Sequence, residues 1–370
     1  MTPCINAVGT AVPAHDVHGA FIDWARARVD EPHRRLFDRM AGRAAIRRRW
    51  SVLPASAMGG SPIAEGGFYR DGAFPGTAAR MAVYAEAAPE LALGAVADLG
   101  ERADLSGISH LVVASCTGFV APGIDQIVAA RFGLAPSVER LLVGFMGCYA
   151  AVAALRSARH IVRSDPQARV LVVCVELCTL HMQDTGDIES LLAQLQFGDG
   201  AGAALVSADP RGFAIDRPFA TTLPESHELI RWNITDQGFV MHLSGEVPNR
   251  IARALADRAV AEAATGGRNP DALDGWAVHA GGRSILDAVQ NAFGLAPDRL
   301  DASRAVLADY GNMSSATLLF VLRRLLDGPP VDRGLALAFG PGLAAEGFGF
   351  RSAEAATLRS ADGSSFRSAA

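Results

Sequence analysis

Three residues in the chain are of types that together can carry out nucleophilic chemistry, namely Cys148, His279 and Asn312. Cys148 lies where an apolar segment meets an Ala-rich one, so its thiol is predicted at the start of a helix. Free N–H groups and the helix dipole at that position favour the thiolate. A lone cysteine in such a place is nevertheless more often a small buried apolar residue. The position of Cys148 therefore leaves both interpretations open.

His279 and Asn312 could complete such a site. His279 follows the apolar residues GWAV and precedes two glycines, a setting that exposes an imidazole to a cleft. Most of the nine histidines are expected to be satisfied by backbone partners instead. Asn312 in YGNMSSAT precedes a predicted helix, where turn and N-cap roles are ordinary for asparagine. A neutral amide donor also suits the stabilisation of a transient oxyanion.

The elements that must position these residues alternate between strand and helix, which predicts an α/β fold. Two glycine-bounded segments, FGDGAGAALVSA and FGPGLAAEGFGF, resemble each other weakly and indicate an internal duplication. A basic amphipathic helix is predicted at 32–49, and an Ala-rich helix at 77–99. The remaining predicted strands are 110–115, 141–147, 169–175, 201–207, 275–279 and 334–339, and the remaining predicted helices are 149–162, 284–293 and 314–326.

The composition excludes several other classes of protein. A formal net charge of -5 gives no general reason to expect nucleic-acid binding. The five cysteines are odd in number and widely spread, which favours reduced thiols over a disulfide framework. Cys174 and Cys178 lack the second close pair that a zinc site requires. No signal peptide or membrane-spanning apolar segment is evident, so a soluble cytoplasmic protein is expected.

The segments around the three residues resemble type III polyketide synthases, the chalcone and stilbene synthase superfamily, and bacterial members in particular. The resemblance covers residues 34–350 and rests on GFMGCYAA, FGDGAGAALV, VHAGGRSILDAV, YGNMSSATLLFVL and AFGPGLAAEGFGF. It implies a thiolase-like α/β fold made of two duplicated αβαβα halves in five layers. Residues 1–208 would carry the cysteine and 209–352 the histidine and asparagine, followed by a loose tail at 353–370.

The same resemblance implies a division of labour within the site. Cys148 would be acylated by a starter coenzyme A thioester and then hold the growing chain. His279 and Asn312 would hold the malonyl-CoA carbonyl and stabilise the enolate formed on decarboxylation. His279 would also keep Cys148 as a thiolate in an ion pair. Acyl-CoA and malonyl-CoA would be the substrates of a homodimer that uses no metal or redox cofactor and binds neither membrane nor nucleic acid.

Family positions that line the cavity can be carried over by residue. Phe197 matches an aromatic gatekeeper, Met241 stands where plant members have phenylalanine, and Ala121 where many have a methionine reaching across the dimer interface. A basic segment matches residues that meet coenzyme A phosphates, namely Arg43, Arg47, Arg48 and Arg49. The other cavity positions are Cys116, Thr117, Cys178, His181, Ser314, Phe339, Gly340, Pro341 and Gly342.

Ala121 and Met241 motivate a fatty-acyl starter giving alkylpyrones or alkylresorcinols, although small phenolic products made from malonyl-CoA alone remain open. The nearest alternative is a ketoacyl–acyl carrier protein synthase III, which shares the Cys/His/Asn set but performs one condensation. A papain-like protease uses the same residue types, but Cys148 lacks the CGSCW-type context. A silent subunit has no reason to keep all three residues, and no G-x-G-x-x-G follows an early strand to indicate a nicotinamide enzyme.

Overall fold

The computed structural model describes residues 1–56, 60–64, 66–70 and 73–353. The predicted loose tail lies outside the described residues from residue 354 onward. The strands are β1 (Cys4–Ala11), β2 (His15–Asp16), β3 (Trp50–Ser51), β4 (His110–Ser115), β5 (Glu139–Gly144), β6 (Val170–Leu177), β7 (Asp199–Ser207), β8 (Phe213–Thr222), β9 (Ile230–Thr235), β10 (Gly238–Leu243), β11 (Gly275–Val278), β12 (Gly334–Gly340) and β13 (Ala344–Ser352). The α-helices are α1 (His18–Arg28), α2 (Glu31–Arg43), α3 (Thr77–Gly100), α4 (Ile124–Arg131), α5 (Ala150–Ser164), α6 (Ile188–Gln194), α7 (Val247–Ala256), α8 (Arg258–Thr265), α9 (Arg283–Phe293), α10 (Asp301–Tyr310) and α11 (Ala316–Leu326).

Nine of these strands form one sheet in the order β11-β12-β13-β8-β1-β7-β6-β4-β5. This sheet contains two sets of four neighbouring strands whose pairing directions follow the same order. The first set is β4, β6, β7 and β1, and the second is β11, β12, β13 and β8. In each set the first pair is parallel and the next two pairs are antiparallel. The two sets meet through a short β1–β8 ladder at Cys4–Ile5. The repeated order and directions confirm the predicted duplication.

The helices cover the sheet in layers. One buried cluster joins α5 and α11 to the inward faces of both strand sets, so these two helices form a central layer. A second cluster packs α1 and α3 on the outer face of the first set. A third packs α7 and α9 on the outer face of the second set. Two outer helical layers, two strand layers and the central helices give the predicted five layers.

Burial on both faces explains the sequence of the central strands. All residues of β6, β7 and β12 are buried, and their sequences are correspondingly apolar runs rather than alternating ones. Gly202 in β7 is required by this packing, because a Cβ there would lie 2.7 Å from the Cβ of Leu319 in α11. None of the described helices has the length and apolar character that crossing a membrane requires.

The predicted helix at 32–49 is too long. Helix α2 ends at Arg43, and Ala45 adopts a left-handed backbone with φ of 58°. Residues 46–49 lie in no helix or strand, and the N–H groups of Arg47 and Arg48 donate to the carbonyl of Ala308. The predicted strand at 141–147 also overruns, because Phe145 and Gly147 have positive φ and turn the chain after β5.

Candidate active site

Cys148 lies in a short 3-10 turn, Gly147–Tyr149, immediately before α5. Gly147 has φ of +72°, and a Cβ on it would lie 2.3 Å from Cδ of Pro341. Gly340 is equally constrained, since its Cβ would meet the Tyr149 ring at 2.5 Å. The FGPG loop at 339–342 therefore packs directly on the turn that holds the thiol. Glycine is required at both contact points.

Asn312 lies beside the thiol, with Oδ1 and Nδ2 each 3.9 Å from Cys148 Sγ. Its amide is oriented by two bonds: Oδ1 accepts from the Ser314 N–H at 2.9 Å, and Nδ2 donates to the Gly281 carbonyl at 3.2 Å. His279 follows β11 directly and is 1% exposed. Neither of its ring nitrogens has a hydrogen-bond partner among the described residues. Because His279 also lines the cavity described next, its ring can reach a bound substrate.

The three side chains share one cavity of about 470 Å³. It is closed mainly by apolar side chains from α2, α6, β9, β10 and α7, with few polar groups. A cavity of this size and character suits a small-molecule ligand. The predicted residues that line it are Cys116, Thr117, Cys148, Cys178, Phe197, Met241, His279, Asn312, Ser314, Phe339, Gly340 and Pro341. A larger surface groove of about 700 Å³ lies elsewhere and contains none of them.

Burial dominates the acid–base properties of the site. It raises the pKa of the Cys148 thiol to about 11, against smaller lowering effects of hydrogen bonds to Ser314 and Asn312 and a small raising effect of the Glu176 charge. Burial alone lowers the pKa of His279 to about 3. The structure thus favours a neutral thiol and a neutral imidazole. The resting thiolate expected at the start of α5 stays a prediction.

Glu176 is a buried carboxyl beneath the site that the sequence analysis missed. Its Oε2 accepts from the Cys116 N–H at 3.0 Å and from Thr117 Oγ1 at 2.8 Å, and its Oε1 accepts from Ser315 Oγ at 2.5 Å. Burial raises the pKa of Glu176, and these bonds oppose the rise. A carboxylate inside the apolar strand VLVVCVEL is the signal that could have identified it, because unpaired charges are rarely buried.

Cys116 lines the cavity, and its main contact is with the turn at Gly147–Tyr149 that carries Cys148. Its Sγ accepts from the Gly147 N–H at 2.9 Å, and it is 2% exposed. Its carbonyl accepts from Trp232 Nε1 at 2.9 Å. Trp232 also lines the cavity, opposite Met241 in the β9–β10 hairpin, and was not predicted. The segment IRWNIT contains polar residues around Trp232, so the sequence does not predict that this side chain lines a cavity.

Three predicted cavity residues lie elsewhere. His181 is buried away from the cavity, where Nε2 donates to the Thr117 carbonyl at 2.7 Å and Nδ1 accepts from the Phe239 N–H at 3.0 Å. Its ring stacks on Phe239 at 4.2 Å, so it supports the wall instead of lining it. Ala121 is exposed on the surface of its own chain, and Gly342 lies just beyond the lining residues.

The predicted coenzyme A arginines divide into two groups. Arg43, Arg47 and Arg48 are exposed, as phosphate contacts require, although none lines the cavity itself. Arg47 forms an ion pair with Asp309. Arg49 is 2% exposed and cannot reach a phosphate in solvent, so its assignment to this group is wrong. No group of three His, Cys, Asp or Glu side chains within the described ranges is arranged to hold a metal ion.

Comparison with known proteins identifies the family. Residues 2–210 match the N-terminal domain of chalcone and stilbene synthases, and residues 215–354 match their C-terminal domain. PKS-I from the brown alga Ectocarpus siliculosus is 29% identical with a TM-score of 0.85, over 95% of this chain and 98% of that one. The C-terminal type III polyketide synthase domain of Steely1 from Dictyostelium, a type I/III hybrid, is 25% identical with a TM-score of 0.82, over 95% of this chain and 100% of that one. The chain therefore belongs to the chalcone and stilbene synthase family and is a type III polyketide synthase, an acyltransferase.

Proposed function

We propose that Cys148, His279 and Asn312 together condense malonyl-CoA units onto an acyl group held on Cys148. The observation that supports this most directly is their convergence in one apolar cavity, with the thiol 3.9 Å from the Asn312 amide and the imidazole nitrogens without a partner in the described part of the chain. A nucleophile, a base and an amide donor that line one cavity supply the groups that acyl transfer needs.

The loading step follows from the neutral resting state. As Sγ of Cys148 attacks the starter thioester carbon, its proton passes to the neutral imidazole of His279. The C–S bond to coenzyme A then breaks, and the leaving thiolate takes that proton. His279 acts here as the base, since a neutral imidazole can accept the proton. The product is a thioester on Cys148 and free coenzyme A.

The condensation step uses the same donors on a different substrate. Loss of CO₂ from malonyl-CoA leaves the electron pair of the broken C–C bond as an enolate on the thioester. Asn312 Nδ2 and the His279 ring stabilise the enolate oxygen, since preorganised donors in an enclosed site act most strongly on developing charge. The enolate carbon attacks the acyl carbon on Cys148 and releases the thiolate. The extended chain, now on coenzyme A, can return to Cys148.

The lining of the cavity favours an apolar starter. We propose a fatty acyl-CoA, giving an alkylpyrone or alkylresorcinol after cyclisation, because methionine and aliphatic side chains form a large part of the wall. Gatekeeper Phe197 and Met241 would narrow the passage from the coenzyme A side, where Arg43 and Arg48 are exposed for the phosphates. The aliphatic wall residues are Leu36, Ile188, Leu192, Ile230, Leu243, Val247 and Ile285.

We also propose a homodimer formed across the β5 edge of the sheet. This edge strand has four exposed residues in succession, and Leu141 and Leu142 are 43% and 52% exposed. Phe119 is 47% exposed. A hydrophobic strand edge on a soluble protein normally requires a cover. Ala121 is exposed on the loop that follows Phe119, so such a dimer would bury it.

The function is tested with purified protein, isotopically labelled malonyl-CoA and a ladder of acyl-CoA starters, with products read by chromatography and mass spectrometry. Labelled pyrones or resorcinols with two or more malonyl-derived units support the proposal and identify the starter. A single condensation, or activity only with carrier-bound malonyl groups, would favour the ketoacyl synthase III reaction. Size-exclusion chromatography of wild type and Leu142→Glu tests the dimer, because the charge would disrupt an apolar interface.

A further inference from the structure

Arg49 is a buried cation in a position where the sequence suggests a surface charge. It is 2% exposed, whereas its neighbours Arg47 and Arg48 are exposed. Burial lowers the pKa of Arg49 to about 10, so the guanidinium remains charged at neutral pH. A buried charge is costly unless its donors are satisfied by well-placed partners. Its partners therefore indicate what the charge does.

The guanidinium donates to three acceptors that are not carboxylates. Nε donates to Nδ1 of His18 at 3.0 Å, and Nη1 donates to the carbonyls of Gln194 and Phe197 at 3.1 and 2.7 Å. The group also lies over the Phe21 ring, 4.7 Å from its centroid. Among the described residues it forms no ion pair with an acidic side chain. Nη2 has no partner among these residues, and the nearby charges of Asp16 and Asp199 also favour the charged guanidinium. Two of its three hydrogen bonds go to backbone oxygens of one segment, residues 194–197.

These carbonyls belong to the end of α6 and to the gatekeeper. Gln194 is the last residue of α6, where helix carbonyls lack intrahelical partners and the dipole favours a cation. Phe197 lies three residues farther along and lines the cavity. A single guanidinium therefore fixes the path of the chain between the end of α6 and Phe197. Both carbonyls accept from Nη1 while Nε is held by His18, so the rigid guanidinium fixes three contacts at once, which a flexible lysine ammonium does less well.

The same segment is bonded to the backbone of Asn312. The Asn312 N–H donates to the Gln196 carbonyl at 2.8 Å, and the Gly198 N–H donates to the Asn312 carbonyl at 3.0 Å. Gly311 is held close as well, because a Cβ on it would lie 2.9 Å from Cγ of Arg49. A shift of residues 194–197 would consequently move Asn312. The turn that carries Cys148 has no bond to Arg49.

We propose that Arg49 is a positioning residue that holds Phe197 and Asn312 in register for condensation, while leaving the acylation of Cys148 to other groups. The inference rests on the proposed function, since it assigns Asn312 to the enolate. Displacement of a catalytic donor by about 1 Å can lower a rate on the order of 100-fold. Losing Arg49 should thus slow condensation, which needs Asn312, and spare the acylation of Cys148, which does not.

The test compares Arg49→Lys and Arg49→Met with wild type in two assays on the same folded protein. Starter acylation of Cys148 is followed by intact-protein mass spectrometry, and condensation is measured as labelled product per acylated subunit. Arg258→Lys and Arg258→Met are matched controls, because Arg258 is exposed on α8 and forms a surface ion pair with Glu262. Both Arg49 variants should acylate within about threefold of wild type and condense about tenfold or more slowly, with lysine the milder change.

Equal condensation per acylated subunit in wild type and both Arg49 variants would overturn the inference. So would a proportional loss of both steps, which is the mark of a merely structural role. If neither Arg49 variant folds, His18→Leu removes one acceptor of the guanidinium and keeps the two carbonyl contacts. This variant should lose condensation activity selectively, by a smaller factor than the Arg49 variants. Condensation at the wild-type rate would overturn the inference. A wild-type enzyme that acylates but never condenses would instead refute the proposed function, and this inference with it.

Discussion

Gly147→Ala tests whether the FGPG loop positions the nucleophile. Gly147 has φ of +72°, and a Cβ there would lie 2.3 and 2.7 Å from Cδ and Cγ of Pro341. Adopting a left-handed backbone costs a non-glycine residue about 1–2 kcal/mol, and forcing atoms into a packed site costs about 1–3 kcal/mol more. The variant should therefore lose about 2–5 kcal/mol of stability. The turn that carries Cys148 should shift away from Asn312.

Gly267→Ala separates the two contributions. Gly267 has φ of +69°, and no atom lies within 4 Å of the position its Cβ would take. Gly267 carries the same backbone strain without a clash and does not line the cavity, so Gly267→Ala should lose only the first 1–2 kcal/mol, roughly, and keep its activity. Denaturant midpoints give the stabilities, and labelled product per folded protein gives the activity. Gly147→Ala should fall on the order of 100-fold in product formation.

A second substitution makes the argument refutable. Pro341→Ala removes the Cγ and Cδ atoms that the new methyl group would meet, so the double variant should regain part of both stability and activity relative to Gly147→Ala. A double-mutant cycle then gives the coupling between the two positions directly. If Gly147→Ala and Gly267→Ala lose equal stability, or if Pro341→Ala adds its own loss without any coupling, the loop does not hold the turn as the geometry indicates.

Three further predictions concern the site itself. Cys148→Ala should abolish product while malonyl-CoA decarboxylation persists, because the enolate donors remain; wild-type turnover would remove Cys148 from the mechanism. Met241→Phe should shift the starter profile toward shorter chains, since a ring opposite Trp232 narrows the cavity, and an unchanged profile in the starter ladder would contradict this. Glu176→Gln removes a charge that raises the Cys148 pKa, so the pKa falls and iodoacetamide should alkylate Cys148 faster than in wild type at pH 8 to 9. Equal rates over that range would show that the Glu176 charge does not reach the thiol.

Long regular patterns made much of the fold predictable. The helix expected at 77–99 is α3, Thr77–Gly100, and the strand expected at 110–115 is β4 within the same bounds. The apolar residues of α3 recur with helical spacing, and β4 is an apolar run whose two faces are both buried. The β9–β10 hairpin was not assigned, because β9 carries mostly polar or exposed residues. The hairpin contributes Trp232 and Met241 to the cavity wall, and only the tertiary structure brings these two residues together.

Charged residues gave the least reliable predictions. Arg49 follows two other arginines, and a basic run normally indicates a solvated surface. Its burial depends on carbonyls more than 140 residues away at the end of α6, which no local pattern reveals. Glu176 presents the opposite case, because its apolar strand predicts burial correctly. The strand sequence does not reveal the hydrogen-bond donors that stabilise the buried carboxyl. Buried polar networks are specified by pairs of distant segments.

The pairing of Cys148 with Asn312 follows from the duplication. Helix α5 precedes β6, and α11 precedes β12, the equivalent strand of the second set. Cys148 and Asn312 thus stand before equivalent helices, and those helices contact each other in the central layer. The starts of these two helices lie side by side in the central layer. Each half therefore contributes one reactive side chain to a shared cavity. Any change that slides α5 against α11 should therefore alter the separation of thiol and amide without touching either residue.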